Sequence, residues 1–136
     1  MSDGVEWIRD GEQVLGIILR QEYAPARTEF LTPDDYKQQL GLIVYPKGGR
    51  VLPHSHRPIE RQIRGTSEVL MVRRGRAEVD FYDTARRSVG SRTLHEGDIL
   101  LLVAGGHGIR FTDDTVLVEI KQGPYAGTDD KERFEP

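Results

Sequence analysis

No cysteine occurs among the 136 residues, which excludes disulfides, iron–sulfur clusters and thiolate zinc sites. Any metal must therefore be held by nitrogen and oxygen ligands. A basic tract is also missing. The 19 Lys and Arg and 22 Asp and Glu side chains are mixed along the chain, and the net charge is -3. Nothing in that distribution suits a phosphate backbone, so nucleic acid is not an expected partner. Long hydrophobic runs are absent too: the longest spans residues 99–104, and the opening "MSDGVEWIRDGEQ" has no basic flank leading into an apolar segment. The reading is a soluble, cytoplasmic protein with no membrane partner. No internal repeat or low-complexity block is present. The length suits one domain over residues 1–136, with a core at about 14–121 and a C-terminal tail at 122–136.

What the chain does have is punctuation. Fifteen glycines and seven prolines separate short apolar runs, several of which alternate with a period of two. The clearest is 76–82, where Ala77, Val79 and Phe81 fall on one face and Glu78, Asp80 and Tyr82 on the other. Further strands are expected at 14–20, 42–45, 51–56, 68–73, 99–103, 108–111 and 115–121. Turn signals lie between them: "DG", "PKGG", "RRG", "HEGD", "AGG" and "TDD". Many short strands with tight turns predict an all-β sandwich or barrel.

Residues 33–40 read equally well in two ways. Thr32 as a cap, Pro33 at the first helical position and two aspartates near the positive end of the dipole would open one short helix, ended by Gly41. An irregular loop accounts for the same residues. The tail "QGPYAGTDDKERFEP" loses periodicity, as a frayed terminus does, yet Tyr125 and Phe134 are aromatics that a solvated tail does not need.

On a strand, residues two apart share a face, so His54 and His56 in "VLPHSHRPIE" project side by side with Leu52. Two surface histidines at a strand end would look the same. The remaining residues favour a metal site. Glu68 opens a strand whose inward face carries Leu70 and Val72, and a carboxylate there needs something to offset its charge. His107 follows "LLLVAGG" at the start of a strand that continues through Ile109 and Phe111. His95, in "LHEGD", reads as a turn residue without a role.

"HSH" followed by "EVLMVRRG" resembles the first motif of the cupin superfamily, with Glu68 and Gly75 at the family's glutamate-to-glycine spacing, and "GDILLLVAGGH" resembles the second. Two departures stand out. Eleven residues, "RPIERQIRGTS", separate His56 from Glu68, where cupins have a much shorter gap; Glu60 sits at the usual distance but lacks the following glycine. In the second motif Val103 replaces the usual proline, the histidine comes one residue early, and Phe111 stands where an asparagine often does. The resemblance implies a double-stranded β-helix (jelly-roll) barrel. It also implies one divalent metal ion (Fe, Mn, Ni or Zn) held by His54, His56, Glu68 and His107, with Glu60 as the alternative carboxylate.

Arg57, Arg61 and Arg64 in the insertion, with Lys121 and Tyr125 after the last strand, are candidate contacts for a carboxylate or phosphate. A solvated charged loop is an equally good account of the arginines. The set of small single-domain cupins that this chain resembles is associated with surface-polysaccharide and sugar biosynthesis. That implies an anionic, sugar-like substrate and an isomerase, epimerase or oxygenase. A non-catalytic metal- or sugar-binding module, or a metal-free barrel with acid–base histidines, are the other readings. A homodimer is expected from the fold, with "VLGIILR" suited to edge pairing or strand exchange.

Overall fold

A computed structural model describes residues 4–136. Among the described residues the secondary structure is ten strands and one 3-10 helix. The strands are β1 (Val5–Asp10), β2 (Gln13–Leu19), β3 (Glu29–Phe30), β4 (Gly41–Leu42), β5 (Glu68–Arg74), β6 (Arg76–Tyr82), β7 (Ser88–His95), β8 (Ile99–Leu102), β9 (Gly106–Phe111) and β10 (Val116–Lys121); the helix is Gly127–Asp130. The protein is all-β, and its strand pairs are antiparallel. No helix among the described residues is long and apolar enough to cross a membrane.

The chain divides into two compact units. The larger joins the chain up to Tyr23 to Thr66–Pro136, and the smaller is Ala24–Gly65. In the larger unit, β1-β2-β8-β5-β10 form one sheet and β7-β6-β9 a second. Apolar side chains from both sheets make one core of Ile8, Leu15, Ile18, Leu70, Val72, Val79, Phe81, Leu94, Leu100 and Leu102. This is a β-sandwich arrangement. Each side chain of this size, once fully buried, contributes roughly 1.5–3 kcal/mol.

Alternation decides which residues reach that core. On β6, Ala77, Val79 and Phe81 are buried, as their period of two predicts. On β5, Leu70 and Val72 are buried likewise. Glu68 is two residues before Leu70 and therefore shares their face. Between β5 and β6 the chain reverses at Gly75 (φ 89), where a side chain would run into the backbone of Asp114 and Thr115.

A buried carboxylate ties the β7–β8 turn to the end of β2. Asp98 accepts hydrogen bonds from the backbone N–H of His95 (2.8 Å) and of Gln21 (2.8 Å), and from Arg20 Nη1 (3.1 Å). Arg20 also donates to the Thr93 carbonyl at 2.6 Å. The turn signal "HEGD" thus contains a structural anchor that its composition does not reveal, and His95 itself ends β7.

Several expectations need correction. Residues 33–40 form a loop, not a helix. Gln39 Nε2 donates to the carbonyls of Pro33 (3.0 Å) and Tyr36 (2.9 Å), and Thr32 Oγ1 accepts from the Leu40 N–H, so side chains take the backbone partners that a helix would use. Residues 51–56 form no strand; Pro53 has no N–H to give to a ladder, and Leu52 stays 64% exposed. β4 stops at Leu42, short of the expected Tyr45. β2, which holds "VLGIIL", is paired on both sides, by β1 and β8, so it does not offer an edge within its sheet.

Two predictions follow from this packing. Asp98→Ala removes the acceptor of three donors and is expected to cost about 3 kcal/mol, read as a lower urea midpoint at unchanged m-value. Asp80 lies on the outer face of β6, where Arg110 donates to it at 2.7 and 2.8 Å and Ser91 at 2.5 Å. These bonds hold its carboxyl down at about 2. A depressed carboxylate stabilises the fold above its ordinary range and loses that contribution as pH falls toward 2. Arg110 is largely exposed, so the gain is under about 1 kcal/mol. The stability gap between wild type and Asp80→Asn should be constant from pH 7 to 5 and close on approach to pH 2.

Candidate functional site

The register of β5 and β9 brings two polar groups to the inside of the larger unit. Glu68 pairs with Leu102 of β8 on one side and Lys121 of β10 on the other. His107 pairs with Phe81 of β6, on the face shared by Val79 and Ile109. The two side chains come from opposite sheets, and His107 Nε2 lies 3.7 Å from Glu68 Oε2. Their exposures are only 29% and 12%.

That separation is too long for a hydrogen bond. It is within reach of an ion pair, yet both groups are pushed away from their charged forms. Burial raises the Glu68 pKa most; a hydrogen bond with Glu119 and that group's charge raise it further, against the pull of Lys121 and Lys131. Burial also lowers the pKa of His107, and the charge of Lys131 adds to this while Glu119 opposes it. A neutral imidazole facing a reluctant carboxylate is a pair that a cation would satisfy. Two donors each about 2.1 Å from one ion stand roughly 3.0–4.2 Å apart, depending on the angle between them. The Glu68–His107 spacing falls inside that range.

Gly105 makes the approach of β9 possible. Its φ is +73, and a side chain there would strike the carbonyl of Tyr82 and meet Leu15 at 3.0 Å. The glycine pair of "AGGH" therefore sets where His107 enters the interior.

Polar residues surround the pair on the same unit. Lys121 Nζ is 4.0 Å from Glu119 and 3.8 Å from Asp130. Thr66 Oγ1 donates to Asp130, and the Ser67 N–H donates to Gln122 Oε1 at 2.6 Å. Sequence reasoning named Lys121 but missed Glu119, although the alternation of "VLVEIK" puts Glu119 on the face of Leu117 and Lys121. Asp130 had no periodic signal to find it. Tyr125 is 85% exposed.

The other nominated residues belong to the smaller unit. His54 and His56 are exposed, with ring centroids 5.3 Å apart at an interplanar angle of 73°. His54 Nδ1 lies 2.8 Å from the Leu52 carbonyl, which leaves Nε2 for another partner. Arg57, Glu60, Arg61 and Arg64 are all exposed on the same segment. Among the described residues, no three His, Cys, Asp or Glu side chains are gathered into a group that could hold a metal ion.

A separate open groove of about 690 Å³ on the larger unit is lined by Arg20, Arg92, Thr93, His95, Glu96 and Asp98, among others. Its arginines are engaged: Arg92 Nε donates to Glu6 at 2.6 Å, and Arg20 is held by Asp98. The groove reads as a structural ion-pair network.

No protein-family profile, curated protein or solved structure matches the chain.

An inward carboxylate that carries a desolvation cost makes a direct prediction. Because its folded pKa is raised, Glu68 penalises the metal-free fold at neutral pH, and the penalty vanishes below the ordinary carboxylate pKa. Glu68→Gln should therefore raise the melting temperature of chelator-treated protein at pH 7, by a shift worth roughly 0.5–2 kcal/mol, and leave it unchanged at pH 4.

Proposed function

We propose that the protein is a small cupin-type metalloprotein that holds one divalent metal ion (Fe, Mn, Ni or Zn) and acts on a small anionic or sugar-like molecule. The observation that carries this reading is the Glu68–His107 pair: an oxygen and a nitrogen donor, 3.7 Å apart, both facing inward and both held toward neutrality by burial. His54 and His56 are the further nitrogen ligands under the cupin resemblance. Three imidazoles and one carboxylate suit first-row divalent ions and leave positions for a substrate. A bound ion would supply Lewis acidity toward a carbonyl or hydroxyl, or a redox centre.

The chain's own residues have complementary tasks. Glu68 supplies the negative charge that favours a cation over water. His107, neutral at physiological pH, offers a lone pair without first losing a proton. Lys121, next to Glu68 in the register, supplies positive charge beside the pair. Such an arrangement supports an isomerase, epimerase or oxygenase. The second reading, a binding module without turnover, is favoured by the ion pairing of Lys121 with Glu119 and Asp130, which commits the cation opposite Glu68.

Elemental analysis of untagged protein is the test. Wild type is expected to carry close to one equivalent of a divalent metal, lost in His54→Ala, Glu68→Ala and His107→Ala and kept in Glu60→Ala. Wild type that takes up no metal after reconstitution would overturn the proposal. Loss in Glu60→Ala but not Glu68→Ala would move the carboxylate role to Glu60.

A further inference from the structure

The C-terminal segment returns to the end of the larger unit where Glu68 and His107 lie, and it is fastened there at three points. Asp130, at the end of the 3-10 helix, accepts from Thr66 and lies 3.8 Å from Lys121. Thr66 is two residues before Glu68, and Lys121 is its partner in the β5–β10 register. Glu132 pairs with Arg86 at 3.1 Å. Phe134 stacks edge-on against Tyr82 with ring centroids 5.1 Å apart, beneath the Arg86 guanidinium at 4.9 Å from the ring. The same ring packs so closely on Gly106, the residue before His107, that a side chain there would meet it at 2.9 Å.

Lys131 sits between the first two fastenings in extended backbone (φ -123, ψ 146). Lys121 has its charge committed to Glu119 and Asp130, whereas Lys131 enters no ion pair among the described residues. It is solvent-exposed, so a ligand can reach it. Its field acts on Glu68 and His107 alike.

We propose that residues 127–134 form a strap over the Glu68–His107 site, latched by Phe134, and that Lys131 on this strap recognises the oxyanion of the substrate. The inference rests on the metal-site reading above and adds to it a substrate-positioning residue. A carboxylate and a phosphate share the chemistry that Lys131 would meet, a compact negative group taking charge-assisted hydrogen bonds. The latch gives the strap a reason to be ordered: Phe134 buries its ring on Tyr82 and Gly106, and Arg86 adds a cation–π contact.

The test uses the full chain, inorganic phosphate and malonate as probes, calorimetry for affinity, and hydrogen exchange over 127–134. Metal content is measured on the same samples. Wild type should bind one of the two anions and gain exchange protection in the strap; which anion binds distinguishes a phosphate from a carboxylate substrate. Lys131→Met should weaken binding about tenfold or more, and Lys131→Arg should largely restore it. Phe134→Ala, which keeps the lysine but removes the latch, should weaken binding by a smaller factor and abolish the protection. Lys131→Met binding both anions like wild type, or wild type binding neither, would overturn the strap. Metal retained with anion binding untouched sinks the strap alone. Anion binding lost in Lys131→Met, in a protein that holds no metal, keeps the strap and sinks the metal reading.

Discussion

The register of β5 between β8 and β10 is the constraint on which the rest depends. A strand paired on both sides cannot slip by one residue without turning its whole apolar set to the opposite face. Leu70 and Val72 must face Leu100 and the second sheet, so Glu68 faces inward with them whatever its own preference. The same rule acts on β9, where pairing with β6 sends His107 and Ile109 toward the core. Two polar groups are thus delivered to one interior by hydrophobic patterning of their neighbours.

Much of the fold was legible because buried strands advertise their period. Ala77, Val79 and Phe81, and Leu70 and Val72, alternate cleanly, and each set is buried. The strands that went unread, β1 and β7, are edge strands with mostly half-buried or exposed residues, so "VEWIRD" and "SVGSRTLH" show little contrast between faces. β3 is two residues long and gives no pattern at all. The opposite error arose at 51–56, where "VLPHSH" has strand-forming residues and no ladder; propensity reports only that a side chain suits a pleated surface, and a partner edge is also needed.

Of the candidate site, what was legible is the inward placement of Glu68 and His107. Glu68 stood out because a charge in phase with apolar residues is costly, and the structure places it on that face. Glu119, in phase with Leu117 but exposed on an edge strand, was passed over because Lys121, two residues on, drew attention as a cation. Asp130 and Lys131 lie in aperiodic chain, and their position comes from tertiary contacts of Phe134 and Glu132 that no local pattern encodes. Of the two readings of 33–40, the loop prevails over the helix for a related reason. Gln39 competes for the carbonyls of Pro33 and Tyr36, a choice made by one side chain against a favourable cap.

At one end of the larger unit's interior the apolar series is broken by Glu68 and His107. The inward residues run Val72, Leu70, Glu68 on β5 and Ile109, His107 on β9, with half-buried Lys121 of β10 opposite Glu68. A sandwich needing only stability would continue the apolar series, since leucine in place of Glu68 would remove a desolvation cost and add buried area. The chain instead places Glu68 and His107 close together, pushes both toward neutrality, and brings the C-terminal segment back to that end with an aromatic anchor. Two inward polar groups 3.7 Å apart, drawn from opposite sheets and with the C-terminal segment fastened beside them, are more than a stable core needs. The proposed function therefore rests on the cost of holding that pair inside.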